Sequence, residues 1–321
     1  MNGKNKSTRF FLPNSDDFYL SLQANNFSPE TVYSYERDLE VFGNFLATDV
    51  GLIDFSDVTK KTIAQYKAYL SSRDRRTADG AVPRSPLSAF SINRHLSSLR
   101  CYLKYLLDND YPTSVTCESV KLIKTDIKHP RVAELHELVR LIEAPSKLEK
   151  DARVALRNRT MLEVLFSTGM RISEIVGLNR TQIDESGRIF IRGKGKKERF
   201  VYLTPRAYGY IVQYLSTRGD TAEALFIPYR GRNADSPHKK ISTNYVQSRI
   251  KWYREILRIN VPITPHSLRH GFATYLAESG ANPAAIQILL GHESLDTTTR
   301  YVHASDRYAE KTHQTYHPLK K

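Results

Sequence analysis

Apolar side chains return at helical spacing along nearly the whole chain, and only the stretch from residue 188 to 203 exchanges that rhythm for strand-like alternation. Residues at i, i+3, i+4 and i+7 share one face of a helix, whereas alternating residues share a face only on a strand. The pattern therefore predicts a mainly α fold with one small β-hairpin. The clearest stripe is Ile92, Leu96, Leu99, Leu103 and Leu106, which leaves Asn93, Arg94, Ser97 and Arg100 on more polar faces. Ser28-Pro29-Glu30 supplies an N-cap, a proline at the first helical position and an early acid ahead of Val32, Tyr35, Leu39, Phe42 and Leu46. Thr59 caps a third helix bearing Ile63, Tyr66 and Leu70, and Phe18 with Leu22 marks a short one before both. These four helices make a small bundle.

At 321 residues the chain exceeds the usual size of one domain, so two are expected. The long periodicity fails after Asn109, where Pro112, Pro130, Lys121, Lys124, Lys128 and Arg131 cluster. The expected division is a helical domain over 1–110, a basic linker over 111–131 and a second domain over 132–321. Within the first, the charged loop from Arg73 to Pro86 is expected to be exposed and mobile. The second domain opens with Leu135, Leu138, Val139 and Ile142, and its next helix ends at Gly169, a natural C-terminus. Residues 188–192 and 199–203 read as two strands around Gly193-Lys194-Gly195-Lys196-Lys197. Further helices are expected near Tyr245–Leu257, His266–Glu278, Ala284–Leu290 and Asp306–His313.

Charge narrows the partner. Forty-eight Lys+Arg against 34 Asp+Glu leave a formal +14, while 40% hydrophobic content rules out a disordered basic tail. A folded cation of this size points to a polyanion, because spread Lys and Arg attract phosphates and release counterions. No apolar run nears the roughly 20 residues that span a bilayer, and the start has no signal-peptide pattern, so no membrane association and a cytoplasmic protein are expected. Cys101 and Cys117 lack metal-ligand spacing and read as idle thiols.

Taken singly, the polar motifs prove little. Gly193 to Lys197 lacks the spacing of a nucleotide phosphate loop and lies between strands rather than at a helix start. His266 and Arg269, three apart, share a helix face, as an ordinary surface patch would. Their order along the chain carries more. Thr168-Gly169-Met170-Arg171-Ile172-Ser173-Glu174-Ile175 is followed by Gly193-Lys194-Gly195-Lys196-Lys197-Glu198-Arg199. Then come His266-Ser267-Leu268-Arg269-His270-Gly271-Phe272-Ala273-Thr274, Leu290-Gly291-His292 and Thr298-Thr299-Arg300-Tyr301. This series resembles the tyrosine recombinase (phage integrase) family, most closely its Xer branch.

The resemblance implies a helical core-binding domain followed by a tyrosine-recombinase catalytic domain, closing on DNA as a C-shaped clamp. It places the catalytic set on Arg171, Lys194, His266, Arg269, His292 and Tyr301, the last as nucleophile. Arg171 and Arg269 suit the phosphate, since guanidinium forks hold two oxygens and stay charged. His292 adds a hydrogen bond, His266 is the acceptor for the phenol proton, and Lys194 is the least secure member, as general acid. Glu174 reads as a helix-face charge or, in the favoured reading, as the carboxylate that orients Arg171. Arg94 and Arg100 are candidate DNA contacts on a helix sized for the major groove. His270 and His303 read as structural.

The implied chemistry needs neither metal nor nucleotide, and no cofactor is expected. The implied partners are double-stranded DNA and further protomers, as a homotetramer or a heterotetramer with a related recombinase. Resolution of chromosome or plasmid dimers is the leading role. The short segment before the first helix favours it over integration or excision of a mobile element, although the polar stretches 73–86 and 229–240 exceed a minimal Xer protein. A DNA-binding regulator without activity and a type IB topoisomerase-like enzyme are the other readings.

Overall fold

The computed structural model describes residues 10–52, 54–73, 75–83, 85–125, 133–192, 198–231, 234–236 and 238–291, with the Arg192 side chain outside that set. The chain forms two compact units, Met1–Lys128 and His129–Lys321.

In the first unit, local capping chemistry starts each long helix. Helix α1 (Ser15–Ala24) precedes α2 (Pro29–Phe45), whose Ser28 hydroxyl accepts from the Thr31 amide with Pro29 in the first turn. Thr59 and Thr62 form a reciprocal capping box on α3 (Lys60–Ser71), and Ser88 caps α4 (Ala89–Asp108). The faces these caps orient meet in one core. Phe42 meets Tyr66 edge-on at 4.7 Å, and Phe18 meets Tyr102 at 5.6 Å. Two features escape the sequence pattern. After α2 the backbone makes a π turn, Leu46–Val50, released by Gly51 at φ 72°. The polar loop after α3 is exposed over most of its described residues, as expected, yet it is tied to the bundle at points: Arg75 is buried, the Arg76 amide donates to the Tyr69 hydroxyl at 2.8 Å, and Asp79 pairs with Arg37 at 2.9 Å.

The described part of the basic stretch after α4, residues 111–125, is tied to the first unit at a few points. Val115 and Val120 are buried, and Asn93 clamps Ile123 by donating to its carbonyl at 3.0 Å and accepting from its amide at 2.9 Å. Cys101 and Cys117 are half-buried, unbridged thiols.

A buried carboxylate ties α2 to α4. Asp38, 1% exposed, accepts from the Ser98 hydroxyl at 2.8 Å and from Arg94 at 2.7 Å, with His95 Nδ1 3.1 Å away. An unpartnered charge there would cost several kcal/mol, roughly the penalty for desolvating an ion, so these contacts are required by burial.

The second unit is built around α6 (Ala152–Thr168), which lies between α5 (Leu135–Leu148), α8 (Pro205–Ser216) and α10 (Pro265–Glu278). Met161, Leu162, Val164 and Leu165 supply its apolar contacts. The polar residues of its middle turns are buried too, and each has at least one partner. Arg157 donates to the Ile227 carbonyl at 2.8 Å and to Asn158, and Asn158 donates to Glu149 and Tyr253, both at 2.8 Å. Arg159 pairs with Glu163 at 2.8 Å, and Arg206 reaches Glu163 and Glu143. Helix α7 (Ile172–Val176) is short, and α9 (Thr243–Ile256) and α11 (Pro283–Leu290) complete the α-helices among the described residues.

Strands β1 (Arg188–Arg192) and β2 (Glu198–Tyr202) pair antiparallel, Ile189 opposite Val201 and Ile191 opposite Arg199. Helix α8 is absent from the pattern reading, although Thr204 and Pro205 start it as an N-cap and first residue. No helix among the described residues is long and apolar enough to cross a membrane.

The Asp38 cluster sets a pH dependence. Burial, with Arg94 and Arg75 nearby, depresses the His95 pKa to about 4, because a second cation is disfavoured there. The folded chain thus binds fewer protons than the unfolded chain between about pH 4 and the ordinary histidine value of 6.5. The His95 contribution to stability is full above that window and is lost as pH falls through it, while Asp38, whose pKa burial raises, works in the opposite direction. Between pH 7 and pH 4.5, denaturant titration should show His95→Gln losing roughly 2 kcal/mol less stability than the parent. An equal acid loss in both proteins would remove His95 as the cause.

Candidate active site

Three of the expected catalytic residues lie among the described ones, and each is placed by a helix end. Helix α6 stops at Gly169, whose φ of 60° lies in the left-handed region. A Cβ at this position would sit 2.4 Å from the Phe272 ring, so glycine permits both the turn and the approach of α10. Two residues later Arg171 is the N-cap of α7, its amide donating to Glu174 Oε2 at 2.7 Å. Arg269 lies one helical turn before Phe272, is 5% exposed, and donates from Nη1 to the Gly169 carbonyl at 2.8 Å. The close approach that Gly169 allows is what brings α10's arginine to the end of α6.

A second helix end completes the arrangement. Helix α11 packs Ile286 and Leu290 against Ala273 and Ala277 of α10 and ends at Gly291, φ 63°. Its last carbonyls have no partner within the helix and carry the negative end of its dipole. Three arginines from three elements occupy three successive ones. Arg199 Nε donates to Leu289 O at 2.9 Å, Arg269 Nη2 to Leu290 O at 2.5 Å, and Arg171 Nη2 to Gly291 O at 3.1 Å. A Cβ on Gly291 would come within 3.0 Å of the Arg199 side chain.

Glu174 joins two of these cations. It accepts from Arg171 Nη1 at 3.0 Å, and Arg199 grips both carboxylate oxygens, at 2.9 and 2.8 Å. Burial pushes this carboxyl's pKa up, but the Arg199 fork and the Arg171 contacts outweigh burial and hold it below the ordinary glutamate value. Glu174 is thus a buried anion shared by two guanidiniums, and it orients Arg171, as the favoured sequence reading expects.

His266 stands exposed in the first turn of α10, behind a Thr264–Ser267 capping box. His270, one turn further, is half-buried, and its pKa is lowered by burial and then by His266 and Arg269. Lys194, His292 and Tyr301 lie outside the described residues, as do His303 and the helix expected over 306–313. On α4, Arg94 is half exposed and already engaged by Asp38, while Arg100 faces solvent.

Sequence reasoning missed Arg199 as part of this cluster. The signal was present: in β2 the even-spaced partners Arg199 and Val201 are buried and their neighbours exposed, which puts an arginine at an inward strand position. A buried arginine requires a buried acceptor. Glu174, itself three residues from Arg171, was the carboxylate in view.

The arrangement concentrates guanidinium groups where backbone carbonyls and one carboxylate hold them rigidly, a geometry suited to an anion whose charge grows during reaction. Comparison with known proteins agrees. The phage integrase family model matches residues 131–307, and the model for the phage integrase N-terminal SAM-like domain matches residues 16–110. The chain is similar to tyrosine recombinase XerD of Staphylococcus epidermidis, 31% identical over 299 residues, covering 91% of this chain and 93% of that protein. It is 35% identical over 299 residues to tyrosine recombinase XerC of Pelobacter propionicus, covering 91% of each. Among solved structures, XerH site-specific recombinase in a post-cleavage complex with palindromic difH substrate superposes with a TM-score of 0.71 at 21% identity, covering 94% of this chain and 84% of that one. A match over both units, with relatives aligned along nearly their whole length, places this chain in the phage integrase family as a tyrosine site-specific recombinase.

Proposed function

We propose that the protein cuts and rejoins double-stranded DNA at a defined site through a 3′-phosphotyrosyl bond to Tyr301, and that it serves Xer-type resolution of chromosome or plasmid dimers. The observation that carries the chemistry is the arginine pair: Arg171 and Arg269 are fixed on adjacent carbonyls at the end of α11. A scissile phosphate beside them gains negative charge as a nucleophile adds, and rigid guanidiniums stabilise that charge without reorganising. His292 follows Gly291 directly in sequence and is assigned a further hydrogen bond to the same phosphate.

In this reading the Tyr301 oxygen attacks phosphorus while His266 takes the phenol proton, whose ordinary pKa is about 10. The bond from phosphorus to the 5′-oxygen breaks, and Lys194 gives that oxygen its proton. The phosphotyrosine conserves the bond energy, so attack by another strand's 5′-hydroxyl reverses the step without nucleotide. Arg94 and Arg100 are our candidates for contact with DNA, Arg94 with the guanidinium edge that Asp38 leaves exposed. The formal +14 charge and the XerC and XerD relatives support DNA and the Xer role respectively. A tetramer on DNA, a division into two domains at the segment 111–131 and a cytoplasmic setting belong to the same reading. Sequencing DNA trapped covalently on the protein in cells tests the role: a single chromosomal or plasmid resolution site supports it, and the ends of a mobile element would replace it with integration or excision.

Three outcomes test the chemistry. Tyr301→Phe should bind supercoiled DNA yet leave no denaturation-resistant adduct, since only the attacking oxygen is lost; an adduct in that variant moves the nucleophile elsewhere, Tyr308 first. Arg269→Ala should slow strand cleavage by about a hundredfold or more while DNA affinity changes severalfold at most, because many other cations carry phosphate binding. Equal losses in both measurements would make it an ordinary backbone contact. Lys194→Ala should cleave normal DNA slowly and recover on DNA whose 5′-bridging oxygen is sulfur, because a thiolate, with a thiol pKa of about 8.5, departs without a proton. Rescue of Lys196→Ala or Lys197→Ala instead would reassign the acid.

A further inference from the structure

We propose that Arg199 is a positioning residue for cleavage: by sharing Glu174's carboxylate it keeps Arg171 both aimed at the phosphate and electrically available to it. This rests on the assignment of Arg171 to the scissile phosphate.

The geometry separates Arg199 from the two arginines it accompanies. All three of its guanidinium nitrogens are bonded to protein, Nε to Leu289 O and the two Nη atoms to the two Glu174 oxygens. Its side chain is 7% exposed, against 33% for Arg171. Arg199 is therefore built into the wall, and Arg171 is the member of the pair that reaches solvent. Glu174 is required to hold Arg171, through the amide at 2.7 Å and Nη1 at 3.0 Å. A carboxylate that close would also cancel the charge it positions.

The second guanidinium resolves that conflict. Arg171, Glu174 and Arg199 together carry one net positive charge, whereas Arg171 and Glu174 alone carry none. A forked, bidentate contact from Arg199 also draws the carboxylate's electron density away from Arg171. The same side chain links β2 to the last turn of α11, and Gly291 leaves the space it passes through. Lysine cannot make that three-way contact, since an ammonium is a point charge without a planar fork.

The test measures cleavage rate at saturating protein, and affinity separately, on the DNA site recovered by covalent capture. Arg199→Met keeps an apolar stem beside Gly291 and removes the charge. It should slow cleavage about ten- to a hundredfold, the scale of losses from residues standing behind a contacting group, with affinity changed less than about threefold. Glu174→Gln should slow the parent protein, because Arg171 loses its anchor, but should speed the Arg199→Met protein, because the unshared negative charge is gone. That reversal of sign is what a merely structural role would not produce. If Arg199→Met unfolds at the assay temperature, Arg199→Gln replaces it in the same pair of comparisons. Glu174→Gln slowing both backgrounds, or Arg199 variants cleaving at the parent rate while Arg171→Ala is slow, overturns the inference and leaves the Arg171 assignment intact. Arg171→Ala cleaving at the parent rate would instead overturn the assignment beneath it.

Discussion

The last turn of α11 is the constraint on which the site depends. A helix ends with carbonyls that its own amides cannot reach, and those oxygens carry the negative end of the dipole. Most helices give them to water or to a glycine turn. Here Leu289, Leu290 and Gly291 each accept from a different arginine, on β2, α10 and the start of α7. Three elements remote in sequence are thereby referenced to one point, and the spacing between their guanidiniums is inherited from the spacing of consecutive carbonyls. Because the acceptors are backbone atoms, they have no rotamer freedom of their own, and the cations they hold follow the helix end.

That convergence needs two close approaches, and both are met by glycine. At Gly169 the ring of Phe272 occupies the place a Cβ would take, and at Gly291 the Arg199 stem nearly does. Both residues also have positive φ, so any substitution adds backbone strain to the clash. Behind them the middle turns of α6, Arg157 to Leu165, are buried on every side, which forces their polar residues into the network of Arg157, Asn158, Glu149 and Tyr253. Such a network is costly unless every member is satisfied, and once satisfied it resists displacement. A stiff central helix is what fixes the end at Gly169, and therefore the start of α7 and the position of Arg171.

Local rules reach far into this fold. Ser28 and Thr59 announce their helices because an N-cap acts within one turn, and the stripe from Ile92 to Leu106 announces its buried face because periodicity is a one-dimensional signal. They fail where a third element decides. Arg73 to Pro86 reads as loose polar chain, yet Arg75 is buried and Tyr69 binds the backbone, contacts that no local pattern encodes. The π turn at Leu46–Val50 continues the same helical stripe and changes only its hydrogen-bond register. Helix α8 hides behind Gly209 and a run of β-branched and aromatic residues, and only its Thr204-Pro205 start betrays it.

The order of motifs from Thr168 to Tyr301 was enough to identify the family and to nominate Arg171 and Arg269, because those residue types are demanded by phosphate chemistry wherever the chain carries them. Arg199 stands in one of the same motifs, but its residue type and spacing alone do not mark it out. Its role comes from what it faces, a carboxylate 25 residues away in sequence and a carbonyl 90 residues away, and such pairings exist only once the helices have packed. Arg94 shows the same limit: its place on a polar helix face is legible in the sequence, and only packing reveals the Asp38 carboxylate it pairs with. Residue type and short-range spacing are written along the chain and fix which chemistry is available. Which cation is exposed, which is spent inside the protein and where each points depend on burial and on acceptors supplied by distant segments, and those are properties of the folded structure alone.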